Sequence, residues 1–331
     1  MSRIITFYVI IILLKVGVFM QWYHILIIIL LSLTFLFFLT TFICYFLTFF
    51  IGKKKIYAKD EYDIPFGKEY EQYKDLMIKW QKEMRELSYK QVQITSFDNL
   101  KLYARYYECT EDHVLEIMFH GYRGSAERDL SGGIKRAFAL NHNVLLVDQR
   151  ASSLSDGHTT TFGVNERRDC MSWVKYVVEN FPPDTKIILT GVSMGAATVI
   201  LASELDLPEN VIGVLADCSY SSQKEVIQKV VKEMKLPPSI FYPLIKIGAR
   251  IFGRFNIEER TPLEAIINAK VPVLLFHGDI DPLIPHEMSI KLHNANKEMT
   301  KLVLIPNAGH CLCYLIEPEL YLKEMKDFFK C

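Results

Sequence analysis

Gly191-Val192-Ser193-Met194-Gly195 constrains this chain more than any other stretch. The run Lys186 to Val192 before it reads as a buried strand, and the apolar sequence Ala196-Ala197-Thr198-Val199-Ile200-Leu201 after it reads as a helix. A serine between strand and helix, with glycines two before and two after, fits a sharp turn that holds the hydroxyl clear of the backbone. The glycines relieve the crowding that such a turn creates. The helix start adds backbone N–H groups and a field that favours negative charge. The motif predicts a nucleophile at Ser193 on a strand-to-helix turn.

The surrounding pattern supplies the sheet that such a turn needs. Val92 to Phe97 and Leu100 to Tyr107 read as a hairpin around Asp98-Asn99. Further apolar strands are expected at 116–120, 143–147, 186–192, 211–216, 271–276 and 301–305, separated by helical stretches such as 164–180 and 194–205. Repeated apolar strands with helical crossovers predict an α/β fold, with a mostly parallel central sheet and helices on both faces. Polar residues collect just past the C-terminal ends of these strands, the edge at which open α/β sheets bind ligands.

A serine that attacks a carbonyl needs a base, an acid and oxyanion donors. His310, in Ala308-Gly309-His310 after the last strand, sits in a loop that can place its imidazole over Ser193. His277 and His120 lie at strand ends beside glycines and are expected to pack or bond locally. For the acid, Asp281 ranks first and Asp217 second, and Asp279 is expected to cap its own turn. The expected oxyanion donors are the backbone N–H groups of Met194 and of Tyr122, the latter in His120-Gly121-Tyr122-Arg123-Gly124.

Together these motifs resemble the α/β-hydrolase superfamily, in its serine aminopeptidase-like and monoacylglycerol-lipase-like branch. The resemblance runs from about Val92 to the C-terminus. It is carried by Phe119 to Gly124, Gly191 to Gly195, His277 to Pro285, and Gly309-His310. It implies Ser193, Asp281 and His310 as a triad. It also implies that the long segment between the strands ending at Asp217 and starting at Val271, about 219–265, caps the active site and shapes an acyl pocket. One segment departs from the pattern. Asp148 to Ser155 is similar to Asp-x-Arg-Gly-x-Gly-x-Ser, a loop that borders the site in relatives, but Ala151 and Ser153 replace both glycines.

The N-terminus is of another kind. Ile25 to Ile51 contains no charge over 27 residues, enough as a helix to cross a bilayer at about 1.5 Å per residue. The chain is expected to divide into a membrane anchor (1–51, span 25–51), a linker with an amphipathic helix over Glu69 to Leu87 (52–90), and the hydrolase domain (91–331). Residues 4–19 form either a second, weaker span interrupted by Lys15 or a flank preceding a start at Met20. Lys53, Lys54, Lys55 and Lys59 follow the span and place the domain on the cytoplasmic face.

Composition narrows the function. The 331 residues carry 38 basic and 38 acidic side chains, so no basic face for nucleic acid is expected. The seven cysteines contain no C-x-x-C pair; they read as free thiols, with no metal site and no cofactor expected. The leading expectation is hydrolysis of a carboxylic ester, small or lipid-like, through an acyl-enzyme. Amide or peptide hydrolysis is the alternative, and a silent membrane interaction module ranks last.

Overall fold

The computed structural model describes residues 22–111 and 113–330. The expectations for residues 4–19 and Met20 lie outside them. The centre of the fold is an eight-stranded sheet: β1 Lys90–Thr95, β2 Lys101–Tyr107, β3 Val114–Phe119, β4 Asn143–Asp148, β5 Lys186–Val192, β6 Val211–Asp217, β7 Val273–Gly278 and β8 Thr300–Ile305. Their spatial order is β1-β2-β4-β3-β5-β6-β7-β8. β2 runs antiparallel to β1 and to β4, and the strands from β4 to β8 are parallel.

The interior strands β4 and β7 are buried at every residue, because helices cover both faces. The helices, in chain order, are α1 Trp22–Thr48, α2 Lys68–Glu71, α3 Lys74–Glu86, α4 Ala126–Ala139, α5 Glu166–Asn180, α6 Met194–Ala202, α7 Gln223–Glu233, α8 Pro238–Ile251, α9 Pro262–Ile267, α10 Glu287–Ala295, α11 Cys313–Ile316 and α12 Pro318–Phe329. α6, the helix after the serine motif, is buried along its whole length, which explains why it has no polar face. On the opposite face of the sheet, buried Glu116 of β3 pairs with Arg136 of α4 and lies 2.9 Å from His142 Nδ1. Its remaining capacity is met by the Thr190 hydroxyl at 2.9 Å.

Two helical segments differ from the sequence expectation. The amphipathic helix over 69–87 is two helices, α2 and α3, with a break at Gln72-Tyr73. The segment packs on the domain: Met84 is buried against α4, and a Cβ on Gly132 would stand 2.7 Å from the Trp80 ring. The apolar helix covers Trp22–Thr48 rather than 25–51, and its two ends differ. Trp22 to Leu39 is exposed at every position, whereas Thr41, Cys44, Tyr45 and Phe49 are buried against the domain.

The burial has a physical cause. The last carbonyls of a helix have no partner inside it. Here Leu47 O accepts from Arg123 (2.8 Å), Thr48 O from the Tyr122 hydroxyl (2.6 Å) and Phe49 O from the Thr160 N–H (3.0 Å). α1 also crosses α8 closely at Gly248, where a Cβ would meet Thr41 O at 2.7 Å.

Candidate active site

β5 ends at Val192, and Ser193 then takes φ 56° and ψ −117°, a strained conformation for a residue with a side chain. The turn survives because its neighbours lack one. A Cβ on Gly191 would lie 2.2 Å from the Gly195 carbonyl, and one on Gly195 would lie 2.0 Å from Phe119 O. The Ser193 N–H donates to Asp217 O at 2.9 Å, which fixes the turn to the end of β6.

Ser193, His310 and Asp281 stand in one hydrogen-bonded row. His310 Nε2 is 2.9 Å from Ser193 Oγ, and His310 Nδ1 is 2.6 Å from Asp281 Oδ2. The other oxygen of Asp281 accepts the N–H groups of Leu283 (2.9 Å) and Ile284 (2.8 Å), so its loop holds the carboxylate still. His310 is 5% exposed. Burial works against the charged ring, but the Asp281 charge and hydrogen bond, with the Cys218 sulfur, more than reverse this and hold His310 above its ordinary 6.5. Such a row takes the proton from a hydroxyl as it attacks and stabilises the imidazolium that forms.

The competing residues are engaged elsewhere. The buried carboxylate of Asp217 accepts from the Tyr321 hydroxyl at 3.1 Å. Asp279 Oδ1 accepts the Asn307 N–H at 2.7 Å. His277 Nδ1 lies 2.6 Å from Ser289 Oγ, and its Nε2 lies 2.9 Å from Ile284 O and 3.3 Å from Asp281 Oδ2, so it braces Asp281 and its loop rather than meeting Ser193. Burial holds His120 below its ordinary value. It is neutral, and its Nε2 accepts the Gln149 N–H at 3.2 Å.

On the oxyanion side, Met194 opens α6, where the first N–H has no acceptor inside the helix. Gly121 sits beside the serine: a Cβ there would lie 3.9 Å from Ser193 Oγ. The Gly121 N–H is already given to Asp129 at 3.0 Å. The Gln149 side chain donates to His120 O at 2.6 Å and steadies this loop from behind.

The sequence reading missed several supports. The Tyr70 hydroxyl of α2 donates to His310 O at 2.9 Å, from an amphipathic segment for which no role at the site was expected. Its place on the apolar face of an amphipathic stretch was the only signal. Phe49 packs edge-on against Phe162 and Phe255, in an apolar cluster that also holds Met194, Tyr220 and Ile284. The loop after β4 keeps its shape without glycines. Ala151 and Ser153 take φ 62° and 43°, and buried Arg150 is clamped by Asp169 and Asp98. A cavity of about 220 Å³ opens between this loop and the end of α1, lined by Phe50, Arg123, Ser152, Thr160 and Met194.

No protein-family model matches the chain. The uncharacterized protein YqkD of Bacillus subtilis is 26% identical over 190 residues, which are 57% of this chain and 62% of that protein. The chain spans about six-tenths of the length of the curated relatives it matches first. Among solved structures, the Pyrococcus furiosus esterase Pf2001 aligns with a TM-score of 0.61 at 24% identity, over 84% of this chain and 98% of that one. A puromycin-hydrolyzing peptidase of Mycobacterium tuberculosis aligns with a TM-score of 0.55 at 18% identity, over 73% of this chain and 39% of that one. With its strand order, its serine turn between β5 and α6, and these structural neighbours, the chain adopts the α/β-hydrolase fold.

Proposed function

We propose that the chain is a membrane-anchored serine hydrolase that cleaves a carboxylic ester through an acyl-enzyme. The observation that carries this reading is the row Ser193 Oγ, His310 Nε2 and Nδ1, Asp281 Oδ2, with both links at hydrogen-bond distance. In the proposed reaction Ser193 attacks the ester carbonyl and His310 takes its proton. The backbone N–H groups of Met194 and Tyr122 stabilise the oxyanion, and the proton returns to the departing alcohol. Water, activated by His310, then releases the acid. Asp281 orients the ring throughout.

An apolar acyl group fits the surroundings. Phe49, Phe162, Tyr242 and Ile245 belong to the apolar cluster above the strand ends, and α7 and α8 form the proposed cap. The exposed part of α1 is eighteen residues long, about 27 Å at 1.5 Å per residue, close to the thickness of a bilayer core. The most apolar eighteen residues of α1 have a mean hydropathy of 2.7. Lys53, Lys54, Lys55 and Lys59 follow directly and support a cytoplasmic domain. Lys54 and Lys55 already touch Ser155 and Asp63, so this basic cluster is seated on the domain.

Labelling of membranes with a fluorophosphonate probe tests the nucleophile. Wild type is expected to label and Ser193→Ala not to; equal labelling of the two sinks the proposal. p-Nitrophenyl esters of graded chain length, set against aminoacyl amides, then rank ester over amide. Faster turnover of the amides would move the assignment to the peptidase alternative. A C-terminal reporter that is active only outside the cytoplasm tests the topology and is expected to stay silent.

A further inference from the structure

Cys218, at the end of β6, and Cys313, at the start of α11, are 95 residues apart in sequence and meet beneath His310. Their sulfurs are 4.0 Å apart, and both residues are fully buried. The Cys311 N–H donates to Cys218 Sγ at 3.2 Å. Asp217 completes the group. It is 5% exposed, one of its oxygens accepts from Tyr321, and the other, Oδ1, has no hydrogen-bond partner among the described residues. A buried carboxylate oxygen without a partner is costly and calls for an explanation, an unplaced ion among them.

The geometry suits an ion. The ligand atoms of Asp217, Cys218 and Cys313 all lie within 4.8 Å of one another, and so do those of Cys218, Cys311 and His310. A tetrahedral cation with sulfur at about 2.3 Å and oxygen at about 2.0–2.2 Å holds its ligands roughly 3.5–3.8 Å apart, so the sulfurs need to close by only a few tenths of an ångström. At 4.0 Å they are well beyond disulfide bonding distance, about 2.05 Å. A cavity of about 60 Å³, lined by Asp217, Cys311, Arg128 and Tyr321, reaches the cluster and gives a small ion a route in.

We propose that Asp217, Cys218 and Cys313 bind a thiophilic cation of the zinc class. Thiolate donors select zinc-like ions over magnesium or calcium, which take oxygen ligands. On binding, the thiols release their protons to solvent and the cation takes the place of those protons. Ser193 is no ligand, so the Ser193→Ala chain keeps every proposed ligand and the site is tested apart from the proposed hydrolase reaction.

Titration of the full-length, reduced Ser193→Ala chain in detergent with Co²⁺ tests the site. One equivalent is expected to produce thiolate-to-cobalt charge-transfer absorption and the visible bands of tetrahedral cobalt, and Zn²⁺ is expected to abolish both. The double variant Cys218→Ser/Cys313→Ser is expected to lose them. Asp217→Asn, which keeps the side-chain shape, and the single variant Cys313→Ser should each weaken binding about tenfold or more. These two variants keep the test open should the double variant misfold. Absence of the thiolate bands from the reduced parent chain, bands of full intensity in the double variant, or unchanged affinity in both single variants would each overturn the proposal.

Discussion

At Ser193 the backbone holds a conformation that few side-chain-bearing residues adopt, and His310 and Asp281 reach it from loops 117 and 88 residues downstream. The Asp281 carboxylate raises the affinity of His310 for its proton. Only the neutral ring can act as base, so kcat/KM should rise with pH through the His310 titration. In Asp281→Asn the charge is gone, so this limb should move to lower pH while the maximal rate falls about 10⁴-fold, the scale expected when the ring loses its orienting acid. A pH–rate profile of both proteins checks the sign; an unmoved limb would remove Asp281 from the reaction. Ala151 is a second residue under strain, at φ 62° where an L side chain costs about 1–2 kcal/mol. Ala151→Gly relieves that strain but gains freedom when unfolded, for a net stabilisation of roughly 0.5–1 kcal/mol. A denaturant midpoint in detergent should rise accordingly.

Among the elements, α1 and α8 carry the least expected contact. Gly248 lets the backbones of the two helices approach closely, and Cys44 is buried in the same region, 7% exposed. Leucine at position 248 would force the helices apart. Gly248→Leu is therefore expected to make Cys44 react with a maleimide at least about tenfold faster than in wild type, read in a background where the other cysteines are replaced. Equal rates would mean that α1 leaves the domain freely. The amphipathic stretch 68–86 shows how far such elements are legible. Its period announced a helix with a buried face. The break at Gln72-Tyr73 and the bond from Tyr70 to the His310 loop depend on the surface it meets, which periodicity does not describe.

Across the whole molecule, the apolar helix serves two solvents. Trp22 to Leu39 faces outward, while Thr41 to Phe50 is part of the wall beside the serine, with its terminal carbonyls capped by Arg123, Tyr122 and Thr160. A chain shortened to begin at Thr40 should leave the membrane fraction yet keep fluorophosphonate labelling. One shortened to begin at Gly52 exposes Phe162, Phe255 and Ile245 and should aggregate or lose labelling. Sedimentation and gel labelling of the two separate these outcomes, and equal behaviour would refute a structural role for residues 40–51.

The sequence alone determined the parallel sheet, the serine turn and the order of Ser193, Asp281 and His310 along the chain, because strand and helix periods and glycine requirements are local. The charge-free run likewise announced a helix long enough for a bilayer. Only the tertiary structure decided that Asp281 rather than Asp217 meets His310, since that depends on which loop folds over the ring. It also decided that the last turns of the apolar helix belong to the domain and that Cys218, Cys311 and Cys313 converge behind the site. These contacts join residues 29, 74 and 95 apart, and spacing along a chain carries no record of them.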